Sequence, residues 1–309
     1  MADAANPLIS VVMLCYNHEK FVAEALEGVF AQTYSPLDIV IVDDCSQDRT
    51  PEIVAAKLAE VANPEIRFIR NERNLGLLGA REVGIKAARG AFIVDTCDDD
   101  VMMPEMVAEM VEAWRTKGVS LVTTNQEFID PESKPIGRTL RPRDVPADDS
   151  FETLARDGVN ACCSGASMGF ERQVYETFGM PPAHLDNRDI MVPFYAYLLK
   201  GAHFICKPLL KYRVHGQNTS LSLIAERSDE HGRLRTHERI YYGHLAHAVV
   251  MQEVLDRLSA TMPQRYAQVA PKIGPLIIVQ TVETAKKLVK TRIKLQEFEA
   301  SRGLIPSRT

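Results

Sequence analysis

Three consecutive carboxylates at residues 98–100 come shortly after an apolar run, residues 91–94, that is typical of a buried strand. Their mutual repulsion makes such a cluster costly unless solvent or a cation neutralises it. A second apolar run, residues 38–42, also ends on a pair of acids, residues 43–44. Because the carboxyl ends of parallel strands line the ligand crevice of an open α/β sheet, these acids predict a single cleft. It would hold a divalent metal and a polar, phosphate-bearing ligand.

Short apolar runs alternate with helical patterns through the first hundred residues. The predicted strands lie at residues 8–14, 38–42, 66–69 and 91–94. Between them, apolar residues recur at the three- and four-residue spacing of helices that bury one face. Strand and helix in series predict an α/β fold with a parallel sheet and right-handed crossovers.

The pattern changes after the acidic cluster. We predict a helix from Pro104 and further elements at residues 119–123 (strand), 162–170 (strand), 192–199 (helix) and 207–215 (strand). Residues 130–150 are rich in proline, arginine and aspartate and predict a long exposed loop of the kind that forms lids. From about residue 225 onward the pattern is only helical, with one segment to about residue 259 and a second from Pro275 to about residue 300.

The composition of the chain limits the classes of function that it can have. The 309 residues are 46% hydrophobic and 25% charged, as in an ordinary soluble globular protein. The net charge of -5 gives no support to nucleic-acid binding and favours a small-molecule partner. No apolar stretch approaches the ~20 residues that span a bilayer, and residues 1–7 lack the features of a signal peptide. We therefore expect a cytoplasmic protein, with peripheral contact at the inner face of the membrane as a further option.

Several ordered segments resemble one known family. They are residues 10–17 (SVVMLCYN), 31–34 (AQTY), 41–50 (IVDDCSQDRT), 71–88 (NERNLGLLGAREVGIKAA), 97–104 (CDDDVMMP), 165–179 (GASMGFERQVYETFG) and 212–220 (YRVHGQNTS). Together they resemble family 2 of the inverting glycosyltransferases, which have the GT-A fold, over roughly the first 220 residues. The resemblance implies a Rossmann-like, mixed and mostly parallel sheet flanked by helices. We accordingly expect a glycosyltransferase domain over residues 1–224, with a donor half to about 115 and an acceptor half at 116–224, and a helical extension over 225–309.

The resemblance also implies roles for the positions that match. The nucleotide-sugar site would comprise Leu14, Tyr16, Asn17, Asp44, Gly79, Arg81 and Asp98. In this site Tyr16 would stack on the base, Asp44 would accept a hydrogen bond from the uracil N–H, and Asp98 would lie near the ribose. Asp99 and His215 would ligate the metal. The donor would therefore be a nucleotide-diphosphate sugar, with uridine as the nucleoside.

The implied metal site agrees with the chemistry of a departing diphosphate. A divalent ion held by Asp99 and His215 neutralises the developing negative charge without any proton transfer. Mg²⁺ and Mn²⁺ both suit carboxylate and phosphate oxygens, and an imidazole ligand favours Mn²⁺. Cys97 stands where many members have the first aspartate of an Asp-x-Asp motif. We expect metal binding to survive this departure, with a changed affinity or ribose contact.

An inverting transfer needs one base that takes the proton of the acceptor hydroxyl. The resemblance implies a carboxylate at the start of a helix, and Asp189 matches it. Many members have Glu-Asp and a later arginine there, whereas this chain has Arg188 before Asp189 and Tyr195 on the helix. Asp186 therefore remains a rival for the base.

Two other functions stay open. One is a non-catalytic module that binds a nucleotide sugar and docks partners through the C-terminal helices. The other is a sugar nucleotidyltransferase, which also uses paired aspartates and a metal, but the N-terminal region has no glycine- and basic-rich activating loop. For a transferase the expected acceptor is a carbohydrate or a lipid-linked glycan. The lysine-bearing helix after Pro275 is a solvated face, a membrane-docking surface or a contact with a second subunit.

Overall fold

A computed structural model describes residues 6–61, 65–139, 165–182, 185, 188–218 and 228–302 of the chain. The chain divides into two compact units, residues 1–183 with 188–214, and residues 184–187 with 215–309. No helix in the described ranges combines the length and the apolar character that crossing a membrane requires.

One mixed sheet forms the centre of the first unit. Its described strands are β1 (Ile9–Cys15), β2 (Leu37–Asp43), β3 (Ile66–Arg70), β4 (Phe92–Cys97), β5 (Val101–Met102), β6 (Leu121–Ile129), β7 (Pro135–Thr139), β8 (Met168–Glu171) and β9 (Ala202–Arg213). The strands are ordered β3-β2-β1-β4-β8-β6-β9-β5, and β7 pairs with β6. Pairing is parallel throughout β3-β2-β1-β4, whereas β8 runs antiparallel to β4 and β6. The predicted mixed α/β sheet is confirmed.

Helices cover the faces of this sheet. In the described part of the first unit they are α1 (Val22–Phe30), α2 (Thr50–Val61), α3 (Gly76–Ala87), α4 (Met106–Lys117), α5 (Gln173–Phe178) and α6 (Arg188–Leu199). All seven residues of β1 are buried, which explains why all but Ser10 are apolar. Helix α3 approaches β1 so closely that a Cβ on Gly84 would lie 2.4 Å from Cγ1 of Val12. The buried strands therefore provide a rigid base for the loops that follow them.

The segment predicted as a long loop begins as a hairpin. Strand β7 pairs antiparallel with β6, and the carboxylate of Asp130 accepts hydrogen bonds from the backbone N–H groups of Glu132 and Lys134 at 3.0 and 2.8 Å. The Asx-type turn at Asp130 reverses the chain and lets β7 pair with β6, although the segment has no apolar periodicity. The loop prediction is therefore wrong for residues 135–139. Residues 140–150 of that prediction lie outside the described residues.

Two other strand predictions need correction. Strand β9 begins at Ala202 and ends at Arg213, so His215 follows the strand instead of ending it. The predicted strand at residues 162–170 is described only from residue 165, where a 3₁₀ turn precedes β8. Strand β5 has only two residues, which is too short for a periodic signal.

Two long helices make up most of the described part of the second unit. Helix α7 (Glu230–Thr261) starts at Asp229, whose side chain accepts a hydrogen bond from the N–H of Gly232 at 2.7 Å. Helix α8 (Pro263–Ser301) begins twelve residues before the predicted start at Pro275 and contains that proline in its interior. The helix continues through Pro275 because buried apolar side chains on both sides of it pack in the hairpin, and this packing offsets the lost backbone hydrogen bond. The buried apolar residues of the pair are Val250, Met251, Val254, Leu255 and Leu258 on α7, and Val269, Ile273, Ile277, Leu288 and Leu295 on α8.

Candidate active site

Polar loops follow the carboxyl ends of three adjacent strands, β2, β1 and β4, and these loops begin next to one another. The backbone N–H of Asp44, after β2, donates to the carbonyl of Cys15 at the end of β1, at 2.9 Å. The N–H of Asp98, after β4, donates to the carbonyl of Leu14 at 3.0 Å. These bonds extend the parallel ladder beyond the strands, so the acids that follow β2 and β4 start at the same edge of the sheet.

A cluster of three potential metal ligands lies at this edge. The ligand atoms of His18, Asp99 and His215 are all within 4.8 Å of one another. His18 follows β1, Asp99 follows β4, and His215 comes just after Val214, whose N–H donates to the carbonyl of Ile129 at 2.9 Å. Two of these ligands, Asp99 and His215, are those that the sequence predicts.

The three side chains fit a divalent cation. Ligand atoms held at roughly 2.1 Å from an ion lie at most about 4.2 Å apart, so small side-chain movements would complete the site. Two imidazoles with one carboxylate form a mixed nitrogen and oxygen set that suits Mn²⁺ better than Ca²⁺. The cluster can therefore hold a metal, with positions left for oxygen atoms of a ligand.

His18 is the site residue that the sequence prediction missed. Its Nδ1 lies 2.6 Å from Oδ1 of Asp98, whose Oδ2 accepts the backbone N–H of Tyr16 at 3.0 Å. Burial alone would lower the pKa of His18, but the hydrogen bond and charge of Asp98 outweigh it and raise the pKa to about 8. A carboxylate on one ring nitrogen orients the other toward a metal. Its position directly after the family-like segment 10–17 was the available signal.

Arg213 holds the acidic loop in place. Its side chain is buried, and its Nε donates to the carbonyl of Asp99 at 2.9 Å while its backbone N–H donates to Oδ1 of Asp100 at 2.8 Å. The guanidinium also pairs with Glu24 at 2.6 Å and lies over the ring of Phe21. Burial raises the pKa of Asp100 well above its usual range, the charge of Asp99 adds to the rise, and the contacts with Arg213 oppose it.

Asp44 is buried beside a cavity of about 420 Å³. Its Oδ1 accepts hydrogen bonds from Nδ2 of Asn71 and from the backbone N–H of Leu75, both at 2.8 Å. These two residues line the cavity together with Glu72 and Arg73. The structure thus holds the Asp44 carboxylate in a fixed orientation, bonded to two of the residues that line this cavity.

The structure places Arg81 in the interior. Its Nε donates to Oδ2 of Asp95 at 2.6 Å, and both side chains are only 1% exposed. Neither terminal nitrogen of Arg81 has a hydrogen-bond partner among the described residues. Arg81 therefore lies behind the sheet edge in a buried ion pair.

The other residues predicted for the nucleotide site differ in exposure. Tyr16 is 44% exposed, as a residue that stacks on a base requires, whereas Leu14 is buried. Asn17 has a left-handed backbone with φ of 55°, and its N–H donates to Oγ of Ser46 at 2.9 Å. Gly79 lies in the first turn of α3. These residues share the β1 and α3 side of the edge with Asp44.

The predicted base lies at the start of α6. Asp189 is the second residue of that helix, and its side chain is outside the described part of the structure, as is the whole of Asp186. The structure thus describes the backbone of Asp189 at the start of α6. Variants of Asp189 and Asp186 distinguish the two acids as the base.

Residues 10–179, more than half of the chain, match the family model described as glycosyl transferase family 2. The chain belongs to family 2 of the glycosyltransferases. Among curated members, the succinoglycan biosynthesis protein ExoO of Rhizobium meliloti strain 1021 is 35% identical over 135 residues. That alignment covers 44% of this chain and 36% of ExoO, so the chain spans about a third of that relative.

Solved structures share the fold of this family 2 chain. TarS 1-349 of S. aureus in complex with UDP-GlcNAc has a TM-score of 0.57 at 17% identity, covering 92% of this chain and 81% of TarS. The mannosyltransferase PcManGT of Pyrobaculum calidifontis, in complex with GDP-Man and Mn²⁺, has a TM-score of 0.55 at 18% identity, covering 94% and 88%. The predicted GT-A fold, with its C-terminal helices, is confirmed.

Proposed function

We propose that this family 2 chain is a metal-dependent, inverting glycosyltransferase that moves a sugar from a UDP-sugar to a hydroxyl acceptor. The observation that carries the proposal is the cluster of His18, Asp99 and His215 within 4.8 Å, at the sheet edge that also holds Asp44. A transferase of this type needs a cation for the diphosphate and a pocket for the base, and these residues offer both.

Asp44 supports uridine as the nucleoside. A carboxylate held by the N–H groups of Asn71 and Leu75 is an acceptor for the uracil N–H. Tyr16 offers an exposed ring on which the base can stack. TarS, which shares the fold, binds UDP-GlcNAc, whereas PcManGT binds GDP-Man, so the fold alone does not select the base.

The three metal ligands would hold Mn²⁺ or Mg²⁺. A bound ion supplies positive charge that stabilises the departing diphosphate. The mannosyltransferase PcManGT contains Mn²⁺, which supports the same ion here. Around it, Asp98 would orient the ring of His18, and Arg213 would keep the Asp99 backbone in place.

Asp189 is the proposed base. A carboxylate at the start of α6 would accept the proton of the acceptor hydroxyl as the new glycosidic bond forms on the face opposite the diphosphate. Positioning of the two substrates would supply most of the remaining rate. The acceptor would be a carbohydrate or lipid-linked glycan in polysaccharide biosynthesis, which the name of the relative ExoO supports. The cytoplasmic location expected from the sequence remains part of this proposal.

The test begins with a thermal-shift screen of nucleotide sugars with and without Mn²⁺, because a ligand that binds only the native state raises the melting temperature. We expect the largest shifts from UDP-sugars, and only when Mn²⁺ is present. UDP release from the best donor is then measured with candidate acceptors. Release of pyrophosphate from UTP and a sugar phosphate would instead indicate a nucleotidyltransferase.

The base is tested with a matched pair of variants. Asp189→Asn should lower turnover by about 10²–10⁴-fold and leave UDP affinity unchanged. Asp186→Asn is the control and should retain turnover. The reverse result would assign the base to Asp186, and full activity in both variants would remove the base from this segment. UDP binding without transfer to any acceptor would favour the non-catalytic module.

A further inference from the structure

Helix α8 has two apolar faces, and the hairpin with α7 buries only one of them. Ile277, Leu288 and Leu295 are at most 9% exposed. On another face Ile278, Val282, Val289 and Ile293 are 64, 47, 58 and 49% exposed. Their spacing of four, seven and four residues keeps these four side chains, which we name the exposed stripe, on one side of the helix.

The exposed stripe is unusual for this chain. Five of the twelve exposed large hydrophobic side chains in the described residues fall within residues 278–293. Scattered single apolar side chains are normal on a protein surface, but a contiguous group indicates a contact surface. We therefore expect the exposed stripe to be a surface that contacts a partner.

The charge around the exposed stripe indicates the kind of partner. Residues 278–294 contain five basic side chains and one acidic side chain, a net charge of +4, in a chain whose net charge is -5. At 100° per residue, Lys286, Lys290 and Lys294 form a row along one border of the stripe. Arg292 lies on the other border, where it pairs with Glu238 of α7 at 3.2 Å. The surface thus combines aliphatic side chains with a row of lysines.

We propose that the exposed stripe and its lysine row dock on an anionic lipid bilayer. Ile and Val side chains would enter the boundary between headgroups and acyl chains, while the lysines contact lipid phosphates. This inference is independent of the transfer chemistry and concerns where the chain is held.

Other occupants fit the surface less well. A two-fold contact with a second copy would bring the same +4 segment against itself, because an isologous interface pairs identical patches. Protein interfaces are enriched in aromatic residues and depleted in lysine, whereas the exposed stripe has only Ile and Val bordered by lysines. Anionic phosphate over an apolar layer complements both features.

The test is co-sedimentation of the full chain with lipid vesicles. One set contains phosphatidylcholine alone, and the other contains equal parts of phosphatidylcholine and phosphatidylglycerol. We expect the chain to pellet with the anionic vesicles, to remain in solution with the neutral ones, and to be released by salt. The triple variant Lys286→Gln, Lys290→Gln and Lys294→Gln should weaken binding by about 100-fold at low ionic strength.

Two further variants separate charge from apolar insertion. Val282→Gln with Val289→Gln should also lose vesicle binding, and far-UV circular dichroism should show unchanged helix content because both positions are exposed. Removing three exposed lysines of the first unit, with Lys86→Gln, Lys117→Gln and Lys134→Gln, changes net charge equally and should leave binding intact.

Three results would overturn the proposal. They are absence of binding to anionic vesicles, equal binding to neutral vesicles, and equal loss in the control lysine variant. Sedimentation velocity provides the comparison with self-association. A concentration-dependent dimer that the Val282→Gln, Val289→Gln variant abolishes, without vesicle binding, would assign the exposed stripe to a second copy.

Discussion

Arg213 donates a hydrogen bond from Nε to the backbone carbonyl oxygen of Asp99 at 2.9 Å. This contact joins the end of β9 to the loop that carries a proposed metal ligand. The guanidinium is buried and also pairs with Glu24. Its contacts with Asp99 and Glu24 together fix its position. Arg213 is therefore a positioning residue for Asp99.

Replacing Arg213 should weaken the metal site through this contact. Arg213→Lys keeps the charge but loses the planar fork that reaches Asp99 and Glu24 together. We expect Mn²⁺ affinity to fall by about 10–100-fold, as for other residues that support metal ligands, with a smaller change in melting temperature. Glu24→Gln is the control, because it removes the ion pair and leaves the Asp99 contact. Equal losses of Mn²⁺ affinity in both variants would contradict a specific effect on Asp99.

Asp98 should determine the protonation of His18 in the metal-free chain. Its hydrogen bond and charge overcome the effect of burial and raise the pKa of His18 to about 8. In Asp98→Asn this favourable charge is lost, so the pKa should fall toward the unperturbed value of ~6.5, with Asp99 and Asp48 still opposing the effect of burial. NMR titration of the His18 ring measures it directly. A pKa of His18 that stays near 8 in the variant would show that a group other than Asp98 raises it.

His18 should contribute directly to Mn²⁺ binding. His18→Ala removes one of the three clustered ligands, and we expect Mn²⁺ affinity to fall by at least about tenfold. Isothermal titration with Mn²⁺ and UDP gives the affinity. His203→Ala, on β9 and outside the ligand cluster, serves as the histidine control and should bind Mn²⁺ normally. Unchanged binding in His18→Ala would reduce the site to Asp99 and His215.

The buried carboxylate of Asp38 should make stability depend on acid pH. Burial raises its pKa, but hydrogen bonds from Ser10 and Arg89 and the charge of Arg67 outweigh this and hold the pKa below its usual range. Its stabilising contribution is therefore complete above the unfolded pKa of ~3.9 and is lost as pH falls through the lower folded value. Asp38→Asn should cost about 2 kcal/mol near pH 7, because both arginines are partly exposed, and the difference should vanish in strong acid. Urea unfolding across pH measures it, and Glu65→Gln, on the exposed side of Arg89, should cost much less.

The close approach of α3 to β1 should make Gly84 intolerant of a side chain. A Cβ there would lie 2.4 Å from Val12 and 3.3 Å from Val42, so Gly84→Ala must shift the helix and should cost about 1–3 kcal/mol. Gly243→Ala is the matched control. It lies inside α7 with open space around it, and it should stabilise that helix by up to about 1 kcal/mol. Thermal unfolding that moved in the same direction for both would contradict the packing explanation.

The sequence predicted the parts of the fold that depend on local pattern. The buried strands β1, β2 and β4 each contain a run of three or more apolar residues, and the acids after β2 and β4 mark the site edge. His18 escaped prediction because its contact with Asp98 joins residues eighty positions apart. The predicted start of the last helix at about Pro275 is twelve residues too late, because packing against α7 carries α8 through that proline.

In addition to the side-chain contacts of Asp98 with Tyr16 and His18, backbone hydrogen bonds join the beginnings of the Asp44 and Asp98 loops to β1. Such bonds are insensitive to residue type, so substitutions farther along these loops leave their origin unchanged. Ligand preference and scaffold integrity are thereby separable properties of this chain. In the proposed nucleotide site, a library randomised at the exposed positions Tyr16, Glu72 and Arg73 is expected to change the base preference without changing the framework.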